Sequence, residues 1–359
     1  MTIYSVLMAG GVGTRFWPRS RETSPKQVLN IVGEQTMIQA THRRLKNLSI
    51  DENVLVVTNS IQKQLIHEQI PQLKDKSFLI EPFGRNTAPC IGLAAVHVAA
   101  QDPNGIMMVL PADHVISNVD EFESVMKLAA NFADEHNALV TMGITPYEPA
   151  TGYGYIQGGK VAMDAGEHKV LKVRTFAEKP NLDTATRFLE SGDFFWNSGM
   201  FVWKATAILQ EFEKLMPEMH DLLMEIADSI GSPNYQDVLK NAYERMQNVS
   251  IDVGIMQRSE RVYVIPANMG WNDVGSWETV YDISAKDKHN NAGRYRELVN
   301  VGSQGCLAYS PDKIVALVGV EDLLVVDTGD ALLVCHKSAA QDVKHIVDEL
   351  KKKGLKQWL

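Results

Sequence analysis

The stretch Ile3-Tyr4-Ser5-Val6-Leu7-Met8-Ala9-Gly10-Gly11-Val12-Gly13-Thr14-Arg15-Phe16-Trp17-Pro18 decides the fold. Ile3 to Met8 is a short apolar run without regular polar–apolar alternation. That predicts a strand buried on both faces, as in a parallel sheet. Three glycines then fall at its carboxyl end, where open α/β sheets keep their ligand crevice. Val54 to Thr58, Phe78 to Ile80, Ile106 to Leu110 and Ala138 to Ile144 have the same texture. Amphipathic stretches lie between them. Thr36-Met37-Ile38-Gln39 fits a capping box, with Leu45 and Leu48 continuing the apolar face. Thr87 to Ala100 is Ala-rich and helical in period. Alternating strand and helix imply βαβ units and an α/β fold: an open, doubly wound, mixed but mostly parallel sheet.

After about residue 285 the texture changes. Glu297 to Val301, Cys306 to Tyr309, Ile314 to Val320, Leu323 to Asp327 and Ala331 to Cys335 follow one another as short β-like pieces. Asp327-Thr328-Gly329-Asp330 is a turn signal, and Val343, Ile346, Val347 and Leu350 mark a last helix. The expected division is therefore a domain over 1–284 and a small β-rich unit over 285–359, which packs rather than carrying a second site.

The chain has 359 residues, with 35 Lys and Arg against 44 Asp and Glu, a net charge of −9. Hydrophobic residues are 45% and charged residues 22%, the mix of a globular protein. Net acidity argues against nucleic acid as a general partner. No apolar run approaches the ~20 residues of a membrane span. Cys90, Cys306 and Cys335 are scattered and odd in number, which favours a reducing cytoplasm over a disulfide scaffold.

Glycines let a backbone bend closely round a ligand and aim N–H groups at an anion. No G-x-x-x-x-G-K-[ST] occurs, so the turn is not a Walker A loop. Phe16 stands where a dinucleotide fingerprint needs its third glycine, so a dehydrogenase reading falls too. The first 30 residues hold Arg15, Arg19, Arg21 and Lys26 against Glu22 alone. Arg19 and Arg21 read as a solvated basic loop. Arg15 and Lys26, taken with the glycines, read as a polyphosphate site.

Gly10-Gly-x-Gly-Thr-Arg-x-Trp-Pro-x-Ser-Arg21, followed by Pro25-Lys26-Gln27, closely resembles the signature of the sugar-nucleotide pyrophosphorylases. The Trp17-Pro18 variant is similar to the branch that makes GDP-mannose. Further matching blocks follow in the expected order: Glu81-Pro-Phe-Gly-Arg-Asn-Thr-Ala-Pro89, Leu110-Pro-Ala-Asp-His114, Thr151-Gly-Tyr-Gly-Tyr-Ile156, Phe176-Ala-Glu-Lys-Pro180, Trp196-Asn-Ser-Gly-Met-Phe201 and Trp271-Asn-Asp-Val-Gly-Ser-Trp277. The likeness covers about the first 280 residues.

The resemblance implies transfer of GMP from GTP to mannose 1-phosphate, with Mg²⁺, in a homodimer. It assigns Arg15 and Lys26 to catalysis. It places Leu7, Ala9, Gly10, Gly11, Gly13, Thr14, Glu81, Asn86 and Thr87 at the nucleotide. Gly152, Gly154, Glu178, Lys179 and Asn197 fall at the sugar phosphate, and Asp113 and Asp273 at the metal. By themselves several of these residues read differently. Each aspartate is more often a cap or turn residue, Glu178-Lys179 is a surface ion pair, Asn197 a turn residue, and Asn86 a helix N-cap. Trp196 and Trp203 read as core or pocket wall. A sister enzyme with another base or sugar, and a silent sugar-nucleotide-binding subunit, are the competing functions. Some relatives carry a fused isomerase domain. His336 and His345 are the neighbouring imidazoles of the tail here, without a ligand cluster, so no isomerase activity is expected.

Overall fold

The computed structural model describes residues 1–359. They form two compact units, each discontinuous in sequence. The first comprises Met1–Gly10, His42–Ala112 and Ile116–Asn272. The second comprises Gly11–Thr41, Asp113–Val115 and Asp273–Leu359.

The first unit is built on a nine-stranded sheet. Its strands are β1 (Ile3–Met8), β2 (Val54–Thr58), β3 (Phe78–Ile80), β4 (Ile106–Pro111), β5 (Leu139–Ile144), β6 (Tyr155–Ala165), β7 (His168–Ala177), β8 (Phe194–Lys204) and β9 (Val262–Ala267). Their order is β3-β2-β1-β4-β8-β5-β9-β7-β6, with β6 also pairing β8. β3, β2, β1 and β4 are mutually parallel, as are β5 and β9. Only β7 and β8 run against the rest. The sheet is therefore mixed and mostly parallel, as its apolar runs imply.

Burial explains those runs. Tyr4 and Val6 of β1 share a core with Val57, Met107, Val109 and the helix Thr87–Gln101. Ser5 and Leu7, which alternate with them, are fully buried too, on the other face. The helix Val119–His136 packs on β4, β5, β8 and β9. Asn118 caps it by accepting from the Glu121 N–H at 3.2 Å, and Asn137 ends it in the left-handed conformation.

The second unit holds β10 (Ala292–Val301), β11 (Leu307–Val318), β12 (Leu323–Asp327) and β13 (Leu332–His336) in that order. β10, β11 and β12 are parallel, and β13 returns antiparallel through the expected Asp327–Asp330 turn. There Gly329, at φ +84°, donates its N–H to Asp327 at 2.8 Å. The two β-like pieces expected at 306–309 and 314–320 are one strand. Pro311, Asp312 and Lys313 are absorbed where the β10–β11 register shifts between Tyr295 and Glu297. The core of this unit explains its composition. Phe16, Trp17, Ile31 and Met37 pack with Trp277, Leu307, Leu324, Val326, Leu333, Val343 and Val347. Val343 and Val347 are the inward stripe of the last helix, Val343–Lys352.

Candidate active site

The glycine turn is shaped by the residues that follow it. Lys26 N–H donates to the Val12 carbonyl at 3.0 Å, and the Gln27 amide donates to the Gly11 carbonyl at 2.9 Å. Gly13 sits at φ +76°, and a Cβ there would lie 2.5 Å from Lys26 Cβ. Only glycine meets both demands. The Ser20 hydroxyl closes the turn on the Gly13 carbonyl at 2.5 Å.

This packing draws Lys26 inward, so that it is only 4% exposed. Its ammonium donates to Asp113 Oδ2 at 2.9 Å and to the main-chain carbonyl of Asp273 at 2.8 Å. Gly13, Thr14, Arg15, Lys26, Asp113 and Asp273 line one cavity of about 320 Å³. Two aspartates 160 positions apart in sequence are thus gathered round one lysine. Arg15 is exposed on the lip and makes no ion pair. Burial alone would raise the Asp113 carboxyl. The Lys26 ammonium and His114 pull it the other way, and the balance leaves it below the usual carboxylate range.

Arg19 and Arg21 are not the solvated loop cations expected. Arg19 donates to the Asn30 carbonyl and side chain at 3.0 and 2.7 Å and lies 4.3 Å over the Tyr309 ring. Arg21 donates to the Pro18 carbonyl at 3.0 Å and pairs with both oxygens of Asp330, at 2.8 and 2.9 Å. The Trp17 indole N–H donates to the Trp358 carbonyl at 2.9 Å, and the Trp277 indole N–H to the Trp17 carbonyl at 3.2 Å. The signature residues that do not reach the cavity therefore brace the turn.

In the first unit, the end of β1 meets Glu81. The Glu81 N–H donates to the Thr58 carbonyl at 2.8 Å, and the Thr58 hydroxyl donates to the Ala9 carbonyl at 2.8 Å. Glu81 Oε1 accepts from the Tyr243 hydroxyl at 3.2 Å, and Oε2 lies 3.4 Å from where a Gly10 Cβ would be. Leu7, expected at the nucleotide, is wholly enclosed in the sheet and offers a ligand no surface; Ala9 is 2% exposed. Asn86 is the N-cap its sequence suggests, accepting from the Thr87 N–H at 2.9 Å from a strained φ of +70°. The Thr87 hydroxyl accepts from the Ile251 N–H at 2.9 Å.

Burial raises the Glu81 carboxyl to about 7, against the lowering effect of the Tyr243 hydrogen bond. An acid whose folded-state pKa lies above its ordinary value stabilises the fold only while protonated. Its contribution is complete below about 4.5 and is lost as pH rises to about 7. Glu81→Gln should remove this loss. Urea unfolding at about pH 4 and about pH 8 should show wild type losing more stability than the variant; equal losses would contradict it.

Of the residues expected at the sugar phosphate, Gly154, Glu178, Lys179 and Asn197 form a second cluster in the same unit. Asn197 lies within strand β8, not in a turn, and its N–H donates to the Gly154 carbonyl at 2.8 Å. A Cβ at Gly154 would stand 2.7 Å from Glu178 Oε2, so the missing side chain makes room for the carboxylate. Glu178 and Lys179 pair at 2.6 Å, with Lys179 in the left-handed region at φ +44°. Gly152 stands apart, with no atom within 4 Å of its Cβ position. Trp196 and Trp203 are core residues, 1% and 0% exposed.

Asp252 joins this cluster without any sequence signal. Its Oδ1 accepts from the Asn197 amide at 2.8 Å. Burial and the nearby Glu178 charge raise its carboxyl to about 6, against the lowering effects of hydrogen bonds and Lys179.

No three His, Cys, Asp or Glu side chains converge as a metal cage. The two carboxylates of the cavity fit Mg²⁺ in a different manner. That ion commonly keeps water and substrate phosphates as ligands and takes only one or two carboxylates from protein.

Residues 4–290 match the nucleotidyl transferase family model, and residues 296–350 match the mannose-phosphate isomerase/GMP-like β-helix domain. The chain belongs to the nucleotidyl transferase family and is an enzyme of that class. It is 38% identical over 357 residues to the mannose-1-phosphate guanylyltransferase of Escherichia coli K12, covering 98% of this chain and 74% of that protein. A Thermus thermophilus structure described as a mannose-1-phosphate geranyltransferase superposes with a TM-score of 0.87 at 30% identity, covering 98% of this chain and all of that one. A Helicobacter pylori structure described as a mannose-6-phosphate isomerase gives 0.63 at 28% identity, over 76% of this chain and all of that one. No helix is long and apolar enough to cross a membrane.

Proposed function

We propose that the chain transfers GMP from GTP to mannose 1-phosphate, releasing pyrophosphate and GDP-mannose. The observation that carries this reading is the cavity in which the glycine turn, Arg15 and Lys26 meet Asp113 and Asp273. It is a site for an anion with many charges. The guanylyltransferase relatives supply the substrate names.

In the proposed reaction a phosphate oxygen of the sugar phosphate bonds to the α-phosphorus of GTP. The bond from that phosphorus to the bridging oxygen breaks in line, and pyrophosphate leaves. A phosphate monoester has its second pKa near ~6 and is mostly dianionic at neutral pH, so no general base is needed. The barrier is charge. Unit charges ~4 Å apart repel by about 4 kcal/mol at an effective dielectric of ~20, and several such pairs meet here. Lys26 and Arg15 place cations against the triphosphate, with the amides of the glycine turn beside them. Lys179 sets the sugar phosphate, and Glu178 accepts from ring hydroxyls. For the base, Glu81 Oε2 is the acceptor offered at the end of β1. Asp113 and Asp273 would hold Mg²⁺, which supplies neutralisation of phosphate charge when bound.

Pyrophosphate release is the test, with GTP, mannose 1-phosphate and Mg²⁺ run beside a panel of other nucleotides and sugar 1-phosphates. Preference for the named pair supports the proposal. Preference for another pair reassigns the substrate, and no release with any pair removes the reading. A second copy of the chain is the proposed partner and the cytoplasm the proposed compartment; sedimentation separates monomer from dimer.

A further inference from the structure

Asp252 opens a π-helical turn, Asp252–Met256. Such turns are uncommon and concentrate at functional sites. The segment before it is fixed to the start of the helix Thr87–Gln101. Ile251 donates to the Thr87 hydroxyl at 2.9 Å, and the Ala88 N–H donates to the Val249 carbonyl at 3.1 Å. Asp252 is therefore held in place, not carried on a loose loop.

The hydrogen bonds of Asn197 settle what this cluster can offer a ligand. Its carbonyl oxygen accepts from the Gly199 N–H at 3.2 Å, which fixes which way the amide points. One amide hydrogen then goes to Asp252 Oδ1 at 2.8 Å. Asn197 keeps a single N–H for a sugar and has no spare acceptor directed outward. Ring hydroxyls need acceptors as well as donors. The acceptors left are Glu178, seated against Gly154, and the second oxygen of Asp252. The charges that act on Asp252 are those of Glu178 and Lys179. Two carboxylates, one ammonium and one amide N–H make a set matched to a polyhydroxyl ring bearing one phosphate.

We propose that Asp252 is a specificity-determining residue of the sugar subsite, accepting a hydrogen bond from a ring hydroxyl of the hexose 1-phosphate through Oδ2 while Oδ1 holds Asn197. This deepens the function proposed above and rests on it.

Asp252→Asn is the variant to use. Asparagine keeps an acceptor for the Asn197 amide and the shape of the residue, but loses the charged acceptor. The KM for mannose 1-phosphate should rise about 10–100-fold, the size of one hydrogen bond to a charged group, with the KM for GTP unchanged. Deoxymannose 1-phosphates, each lacking one ring hydroxyl, complete the cycle. In wild type, removal of the hydroxyl read by Asp252 should cost about the same factor; in Asp252→Asn that same analogue should cost nothing more. A merely structural role would not single out one hydroxyl.

An unchanged KM for the sugar phosphate overturns the inference, as does a variant in which every analogue loses the same factor as in wild type. Binding of the sugar phosphates, followed by calorimetry, separates this from failure of the wider reading. Wild type that binds them without pyrophosphate release refutes the reaction but leaves Asp252 testable by affinity. Wild type that binds none refutes both.

Discussion

Replacing Lys26 by methionine should lower pyrophosphate release by about 10²–10³-fold, the usual effect of removing one preorganised donor from a developing charge. Methionine is chosen because Lys26 does two things. Its stem packs against Gly13, where a Cβ would already be too close, and its ammonium joins Asp113 to the Asp273 carbonyl. A chain of similar length keeps the first and removes the second. The loss should fall on turnover more than on substrate affinity, because in the proposed reaction the cation would act on charge that builds as pyrophosphate departs. Without the ammonium, the pull that holds the Asp113 carboxyl down is largely gone, and that group moves up. Near-normal turnover in a folded Lys26→Met protein, checked by circular dichroism, would remove Lys26 from the chemistry.

Asp273→Asn should be comparably damaging, at about 10²–10³-fold, and should raise the Mg²⁺ concentration needed for half-maximal release. This is a cleaner substitution than Asp113→Asn. Lys26 binds the main-chain oxygen of Asp273, which the change leaves in place, whereas Asp113 holds Lys26 through its carboxylate. Asp113→Asn therefore also leaves a buried ammonium short of its counter-charge and should lower the melting temperature as well as activity. A metal titration that is the same in wild type and Asp273→Asn would exclude Asp273 as a ligand.

The parallel half of the sheet was legible because burial on both faces leaves an unmixed apolar run. Ile3–Met8, Val54–Thr58 and Phe78–Ile80 lie where their residues place them. The antiparallel strand β8 was not. Asn197-Ser198-Gly199 carries turn chemistry, yet pairing with β4, β5 and β6 holds it extended. Periodicity also gave no warning that residues 11–41 share a core with residues beyond 273, since a core is assembled in space. Arg19 and Arg21 look like Arg15 in sequence, and only their partners tell them apart. Asp252 sits in Ser-Ile-Asp-Val, a tetrapeptide with no pattern at all. Its significance comes from Asn197, 55 positions earlier.

The bond from Trp17 to the Trp358 carbonyl joins the glycine turn to residues more than three hundred positions downstream. Breaking it locally forfeits only about 1 kcal/mol. The Arg21–Asp330 pair and the apolar packing of Val343 and Val347 with Phe16 and Trp17 would loosen with it. Fraying at the C-terminal end and slackening of the glycine turn should therefore be one cooperative event. The amide protons of Phe16 and Lys26, which donate to the Gly13 and Val12 carbonyls, and those along Val343–Lys352 should exchange with solvent at matched free energies of opening. Whatever tugs on the last helix is then felt at the glycine turn without touching it.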